Sequence, residues 1–368
     1  MSEAVVGVVA NPLSGRDIRR LVAKASVFPT AEKANMVERM LTSLGAVGVD
    51  RVLMGTDLGG VSAAVLRAVR AQRRRGPPWP AVEFLDQDPI TESAADTTAA
   101  VARMVARGVG VVVCLGGDGT ARVAAAACGD TPLLALSTGT NNSFPELREA
   151  TVAGLAAGLV ATGAVDLATA TSRAAVLEVV AGGRREWALV DVCVSRTAHV
   201  GSRAVWDPAG LVELYCTFAE PDAIGLSSVP GLLCPSGRDD PDGVALSLGP
   251  PEASPYVVQA PIAPGLVVDV GVRSWRPFRV GESAEVTSLA GDIGVVAVDG
   301  EREIELDGGP PPLVRLRPDG PRCVGVGAVL REAARAGLLG RGPGWWSPPG
   351  DRQGPGGWVP VDNGAMMR

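Results

Sequence analysis

At positions 116–120 the chain reads Gly116-Gly117-Asp118-Gly119-Thr120, directly after an apolar run at 111–115 and directly before a helix-like run at 121–128. A buried strand that ends in a glycine turn and continues as a helix builds an anion site. Backbone N–H groups of the turn and the helix N-terminus then point at one place. Glycine belongs where a side chain would block a ligand or where φ must be positive. Asp118 does not itself hold a phosphate, because like charges repel. A carboxylate there acts as a metal ligand or as a general base beside the phosphate. The alternative is a tight Asp-Gly turn that only joins strand to helix.

Two further polar turns follow apolar runs. Asn11-Pro12-Leu13-Ser14-Gly15 comes after the run at 4–10, and Ser137-Thr138-Gly139-Thr140-Asn141-Asn142 after the run at 132–136. Helical patterning is expected at 17–26, 30–44, 61–75 and from 94 to 108, with short strands at 50–55 and 81–85. Strands alternating with helices predict an open parallel α/β sheet whose ligand crevice lies at the C-terminal strand ends. All three polar turns fall at that edge. Beyond about residue 165 the texture changes to short Val-rich runs at 175–181, 187–194, 256–259, 266–272 and 294–298. These predict a β-rich second domain with antiparallel pairing. The expected division is an α/β domain at 1–146 and a β-rich domain at 147–325. A returning helix and a flexible Gly/Pro/Trp-rich tail are expected at 326–368.

With 368 residues, 46% of them hydrophobic, the chain is long enough for two cores, and with 4% aromatics those cores must be built from Val, Leu and Ala. A net charge of −6 argues against a nucleic-acid or anionic-membrane surface. The six cysteines form no C-x-x-C pair and there is one histidine, His199, so a structural metal cage is not expected. No apolar run reaches spanning length and no basic region precedes the first one, which points to a cytoplasmic protein with reduced cysteines.

The strand-Gly-Gly-Asp-Gly-Thr-helix unit resembles the signature of the NAD kinase and diacylglycerol kinase superfamily. Asn11-Pro12-x-Ser14-Gly15 is similar to that superfamily's opening turn, and 137–144 to its Gly-Thr-Gly-Asn-Asp-Phe loop. Val298-Asp299-Gly300-Glu301 resembles its late Asp-Gly-Glu motif. Four motifs in this order span most of the chain. Within the superfamily, the opening 11–20 and the segment Phe218-Ala-Glu-Pro-Asp-Ala-Ile-Gly-Leu-Ser-Ser228 resemble the ATP-NAD kinase-like proteins of the acetoin catabolism protein X type. Two positions depart from the lipid-kinase loop: Asn141 stands in place of Gly and Ser143 in place of Asp. A Thr-Gly-Ser-Thr-Ala-Tyr stretch, which NAD kinases use around NAD, has only a faint echo in Arg196-Thr-Ala-His199.

The resemblance implies a nucleotide-binding α/β domain and a β-sandwich-like acceptor domain with the site in the cleft between them. It also implies ATP, Mg²⁺ and transfer of the γ-phosphoryl group to a hydroxyl, with NAD the leading acceptor. Phosphoryl transfer rests on positioning and charge neutralisation. In this reading the amides of Gly116, Gly117, Gly119 and Thr120 cradle phosphates, and Asp118 orients Mg²⁺ or takes the acceptor's proton. Asn11, Ser14 and Gly15 contact the nucleotide from the neighbouring turn. Thr138, Gly139, Thr140, Asn141 and Asn142 line the other wall, and Glu301, from the second domain, is the alternative base. Asp299-Gly300 also suits a plain hairpin turn, with Glu301 a solvated strand residue. Arg16, Arg19 and Arg20 fit a solvated helical turn better than a phosphate clamp. His199 fits a surface or hydrogen-bonded histidine better than a catalyst, and Arg203, before Trp206, is an acceptor-site candidate. A lipid or sphingoid-base kinase and a nucleotide-binding regulatory protein without turnover are the rival functions. The superfamily also implies a homo-oligomer.

Overall fold

The computed structural model describes residues 3–15, 23–24, 28–72, 78–139, 141–197, 204–205, 207–289 and 292–340. The expected helix at 17–26, together with Thr140, His199, Arg203, the arginines at 16, 19 and 20 and the tail beyond 340, lies outside or mostly outside them.

The first layer alternates as its sequence does. β1 (Val5–Ala10), α1 (Thr30–Ala46), β2 (Arg51–Met54), α2 (Val61–Gln72) and β3 (Ala81–Phe84) come first. Then follow α3 (Ala94–Ala106), β4 (Val111–Gly116), α4 (Asp118–Cys128), β5 (Leu133–Ser137), α5 (Ala150–Ala161) and the short α6 (Leu167–Ala170). β6 (Thr171–Arg173) closes this stretch. Every residue of β4 is buried, because helices cover both of its faces. Val111, Val113 and Leu115 face a core shared with α1, α2 and α5; Val112 and Cys114 face one shared with α3 and α4. The side-chain period of two in a strand makes one apolar run serve both layers.

The strand-rich half begins with β7 (Val176–Ala181), β8 (Arg184–Ala188), β9 (Asp191–Ser195) and β10 (Leu211–Cys216). After α7 (Ser228–Leu233) come β11 (Gly243–Gly249), β12 (Tyr256–Ala263), β13 (Leu266–Phe278) and β14 (Ser283–Glu285). β15 (Ile293–Val298), β16 (Glu301–Asp307), β17 (Leu313–Arg317), β18 (Arg322–Val324) and α8 (Val326–Arg335) complete the described chain.

The first sheet has the order β3-β2-β1-β4-β5-β18-β6, parallel except for the pairing of β18 with β6. A seven-stranded antiparallel sheet, β12-β13-β11-β10-β9-β15-β16, stacks on a four-stranded one, β14-β17-β7-β8. Val192, Val194, Val296 and Ile304 of the larger sheet share a core with Leu177, Val179, Val314 and Leu316 of the smaller. The α/β layer followed by a strand-rich antiparallel region is the fold class the residue pattern predicts, and the sandwich-like stacking is what the family resemblance implies.

The chain does not divide cleanly in sequence. α5 and α6 pack with α1 and α8 in the first layer's core, and β18 pairs with β5. Residues 150–173 therefore lie with the α/β layer, although the sequence division assigns them to the β-rich part.

Candidate active site

Three turns meet because their strands are in register. Ala10 of β1 stands opposite Leu115 of β4, and Gly116 opposite Ser137 of β5, so the chain leaves all three strands at one edge. Backbone bonds lock the exits: Asn11 N–H donates to Leu115 O and Thr138 N–H to Gly116 O, each at 2.9 Å. Side chains add further ties. Asn11 Nδ2 donates to Thr120 Oγ1 at 2.9 Å, and the buried Ser14 Oγ lies 2.9 Å from Thr138 Oγ1. Asn142 Nδ2 donates to Ser137 Oγ at 2.7 Å.

A cavity of about 670 Å³ opens at this edge. Asn11, Ser14, Gly15, Gly117, Asp118, Gly119, Thr120, Gly139, Asn141 and Asn142 line it, together with Glu301 from the other half of the chain. α4 starts here with Gly117 as an extended, side-chain-free N-cap, and Ala121 is the first residue whose N–H reaches back, to Gly117 O. The amides of Gly119 and Thr120 precede that bond and belong to the unpaired first turn of the helix.

The glycines are required largely by protein atoms rather than by ligand access. A Cβ on Gly116 would stand 2.5 Å from Thr120 Cβ, and Cβ atoms on Gly117 and Gly139 would stand 2.9 and 2.6 Å from the Asn142 carboxamide. Only Gly119, whose Cβ would meet Glu301 Oε1 at 3.6 Å, has ordinary space. Gly15 is required by its backbone, with φ at 80°.

The carboxylate of Asp118 accepts from Ser143 N–H at 3.1 Å and from Phe144 N–H at 2.8 Å, so it ties the start of α4 to the 137–144 loop while lining the cavity. The second half supports that loop from outside. Ser143 Oγ donates to Ile224 O at 2.8 Å, and the Arg238 guanidinium donates to Ser143 O and Phe144 O. Arg238 also binds Glu220 at 3.0 Å and lies over the Phe218 ring at 4.4 Å. The segment 218–228 thus buttresses the loop that holds Asp118.

Glu301 arrives through a two-residue hairpin. Asp299 and Gly300 have φ of 50° and 72°, and Val298 pairs with Glu301, the geometry of a type I′ turn. The hairpin and the functional readings of this motif are therefore compatible. Asp299 is buried and accepts from the N–H groups of Leu189 and Val190 at 3.0 and 2.8 Å, which pins the hairpin to the connection between β8 and β9. Arg122 of α4 sits between the halves, 2.9 Å from Glu303 and 3.5 Å from Asp299.

The profile of the ATP-NAD kinase N-terminal domain matches residues 6–165, and that of the acetoin catabolism protein X C-terminal domain matches residues 175–319. Acetoin catabolism protein X of Cupriavidus necator is 42% identical over 342 residues, which cover 91% of this chain and 94% of that one. The chain belongs to the acetoin catabolism protein X family.

Both matched segments line the cavity, the first through its three turns and the second through Asp299, Glu301 and Glu303. Sequence reasoning did not single out Arg122, Glu303, Arg238 or Lys33. For Lys33 a signal existed: it lies in the apolar stripe of α1, in line with Val37, Met40 and Leu44. The others carry no local sign, since their partners are far away in the chain. Among the described residues no helix is long and apolar enough to cross a membrane.

Proposed function

We propose that this chain is an ATP- and Mg²⁺-dependent kinase that transfers a γ-phosphoryl group to the hydroxyl of a small molecule, with NAD the first acceptor to test. The observation that carries this reading is the meeting of the α4 N-terminus with Glu301 across one cavity. Helix-start amides suit phosphate oxygens, and a carboxylate beside them suits a proton or a cation.

The charge of the lining supports a divalent cation. Its described residues include seven carboxylates, on Asp57, Glu92, Asp96, Asp118, Asp299, Glu301 and Glu303, and one guanidinium, on Arg122. A nucleotide polyphosphate entering alone meets repulsion, which a cation relieves. Among the described residues no three His, Cys, Asp or Glu side chains gather into a metal cage. That fits Mg²⁺, which takes one or two carboxylates and completes its shell with phosphates and water. Bound there, it neutralises charge on the phosphates. Glu301 is our choice for the base, because Asp118 already accepts two backbone N–H groups.

A coupled assay of NADP formation from NAD, ATP and Mg²⁺ tests the reading. We expect activity in the wild type and a loss of roughly 10²–10⁴-fold in Glu301→Gln, the range for removal of a general base. Asp118→Asn is expected to lose most turnover while the fold survives. Small hydroxylated metabolites form a second acceptor panel, prompted by the relative's name. A nucleotide-binding regulatory protein is the second reading, favoured by the amide-bound state of Asp118. Saturable ATP binding with no transfer to any acceptor would select it.

A further inference from the structure

Lys33 is fully buried on the apolar face of α1. Its ammonium donates to the carbonyl oxygens of Asn11, Pro12 and Ser14, each at 3.0 Å. A buried ammonium is costly unless hydrogen-bonded, and here one turn of the chain gathers three carbonyls around it.

Those bonds set the other side of the turn. A trans peptide holds its C=O and the following N–H in opposite directions. With the Ser14 carbonyl drawn to Lys33, the Gly15 N–H points away from Lys33, and Gly15 lines the cavity. The remaining amides of the turn are accounted for. Pro12 has no N–H, Leu13 N–H donates to Asn11 Oδ1 at 2.8 Å, and Ser14 N–H to Asn11 O at 3.4 Å.

The geometry points to Lys33 as a positioning residue for a phosphoryl group of the ligand. It withdraws three carbonyls from the cavity, presents the Gly15 amide, and places a positive charge beneath a turn that faces a carboxylate-rich wall. The turn is then a second phosphate contact, beside the start of α4. This rests on the nucleotide reading above.

The test measures binding, so that it does not depend on turnover. Calorimetry compares wild type and Lys33→Met with pyrophosphate and with adenosine, both in the presence of Mg²⁺. The ¹⁵N–H resonance of Gly15 is followed in the wild type. We expect the pyrophosphate Kd of the variant to rise about tenfold or more, the size of a lost charge-supported hydrogen bond, with adenosine affinity unchanged. The Gly15 resonance is expected to move on addition of pyrophosphate. Equal pyrophosphate affinity in wild type and a folded Lys33→Met overturns the inference while leaving the nucleotide reading intact. Should the variant not fold, the wild-type resonance decides, and a Gly15 signal unmoved at saturation overturns it. A wild type that binds neither pyrophosphate nor ATP removes the nucleotide reading, and this inference with it.

Discussion

Asp299 carries the clearest consequence at the scale of a single residue. Burial pushes its carboxyl from 3.8 up to about 6, against the pull of Arg122 and of the amides of residues 189–191. Between about 4 and about 6 the folded protein therefore holds a proton that the unfolded chain has released. The stability from this group is complete below about 4 and is lost as pH rises through about 6. Urea unfolding of wild type and Asp299→Asn across that window checks it. The wild type is expected to lose roughly 3 kcal/mol relative to the variant as pH rises, at about 1.4 kcal/mol for each pH step. A difference that stays constant from pH 4 to pH 7 would contradict this account. The same residue shows how a turn signal and a site signal can coincide: its left-handed φ of 50° makes the hairpin, and its buried carboxylate aims Glu301.

At the scale of elements, the decisive object is the 137–144 loop, held from three sides. Asp118 of α4 binds its amides, Ser14 and Ser137 bind its hydroxyl and carboxamide groups, and Arg238 with Ile224 grips it from the strand-rich half. Arg238→Ala removes the donors to two loop carbonyls and leaves Glu220 without that partner. We expect a stability loss of about 1–3 kcal/mol, the range for breaking such a charged hydrogen-bond set. Hydrogen exchange at the amides of Ser143 and Phe144 is expected to accelerate, while that of β4 remains as in the wild type. Mass spectrometry of a peptide spanning 138–146 reads this directly, and unaltered protection there would show that the loop does not depend on Arg238. The segment 218–228 was legible as a family signature, yet its buttressing role was not, because its partners are about 80 residues upstream.

At the scale of the whole molecule, the chain closes on itself. After building the sandwich it returns through β18, which pairs with β5 and β6, and through α8, whose Val326, Val329 and Ala333 are buried in the first layer. A fragment ending at residue 173 lacks these and leaves the edge of β5 and the apolar flank of α5 uncovered. Exposed strand edges and apolar faces favour association. That fragment is expected to bind hydrophobic dyes and to unfold without a cooperative transition. A sharp calorimetric transition at normal solubility would show instead that the α/β layer folds without its returning elements.

Much of this protein was determined locally. The apolar runs ending at residues 10, 115 and 136, each followed by polar or glycine-rich residues, prescribe buried strands with turns at one edge. Short Val-rich runs separated by Gly, Pro and Asp late in the chain prescribe the antiparallel half. Such patterns report burial and backbone geometry over a few residues, and for that they suffice. They do not say which distant groups meet. Asn11 reaches Thr120 across 109 positions, Ser14 reaches Thr138 across 124, and Arg122 reaches Glu303 across 181. Those pairings, the descent of Glu301 onto the start of α4, and the burial of Lys33 beneath its turn were decided by packing one layer against another.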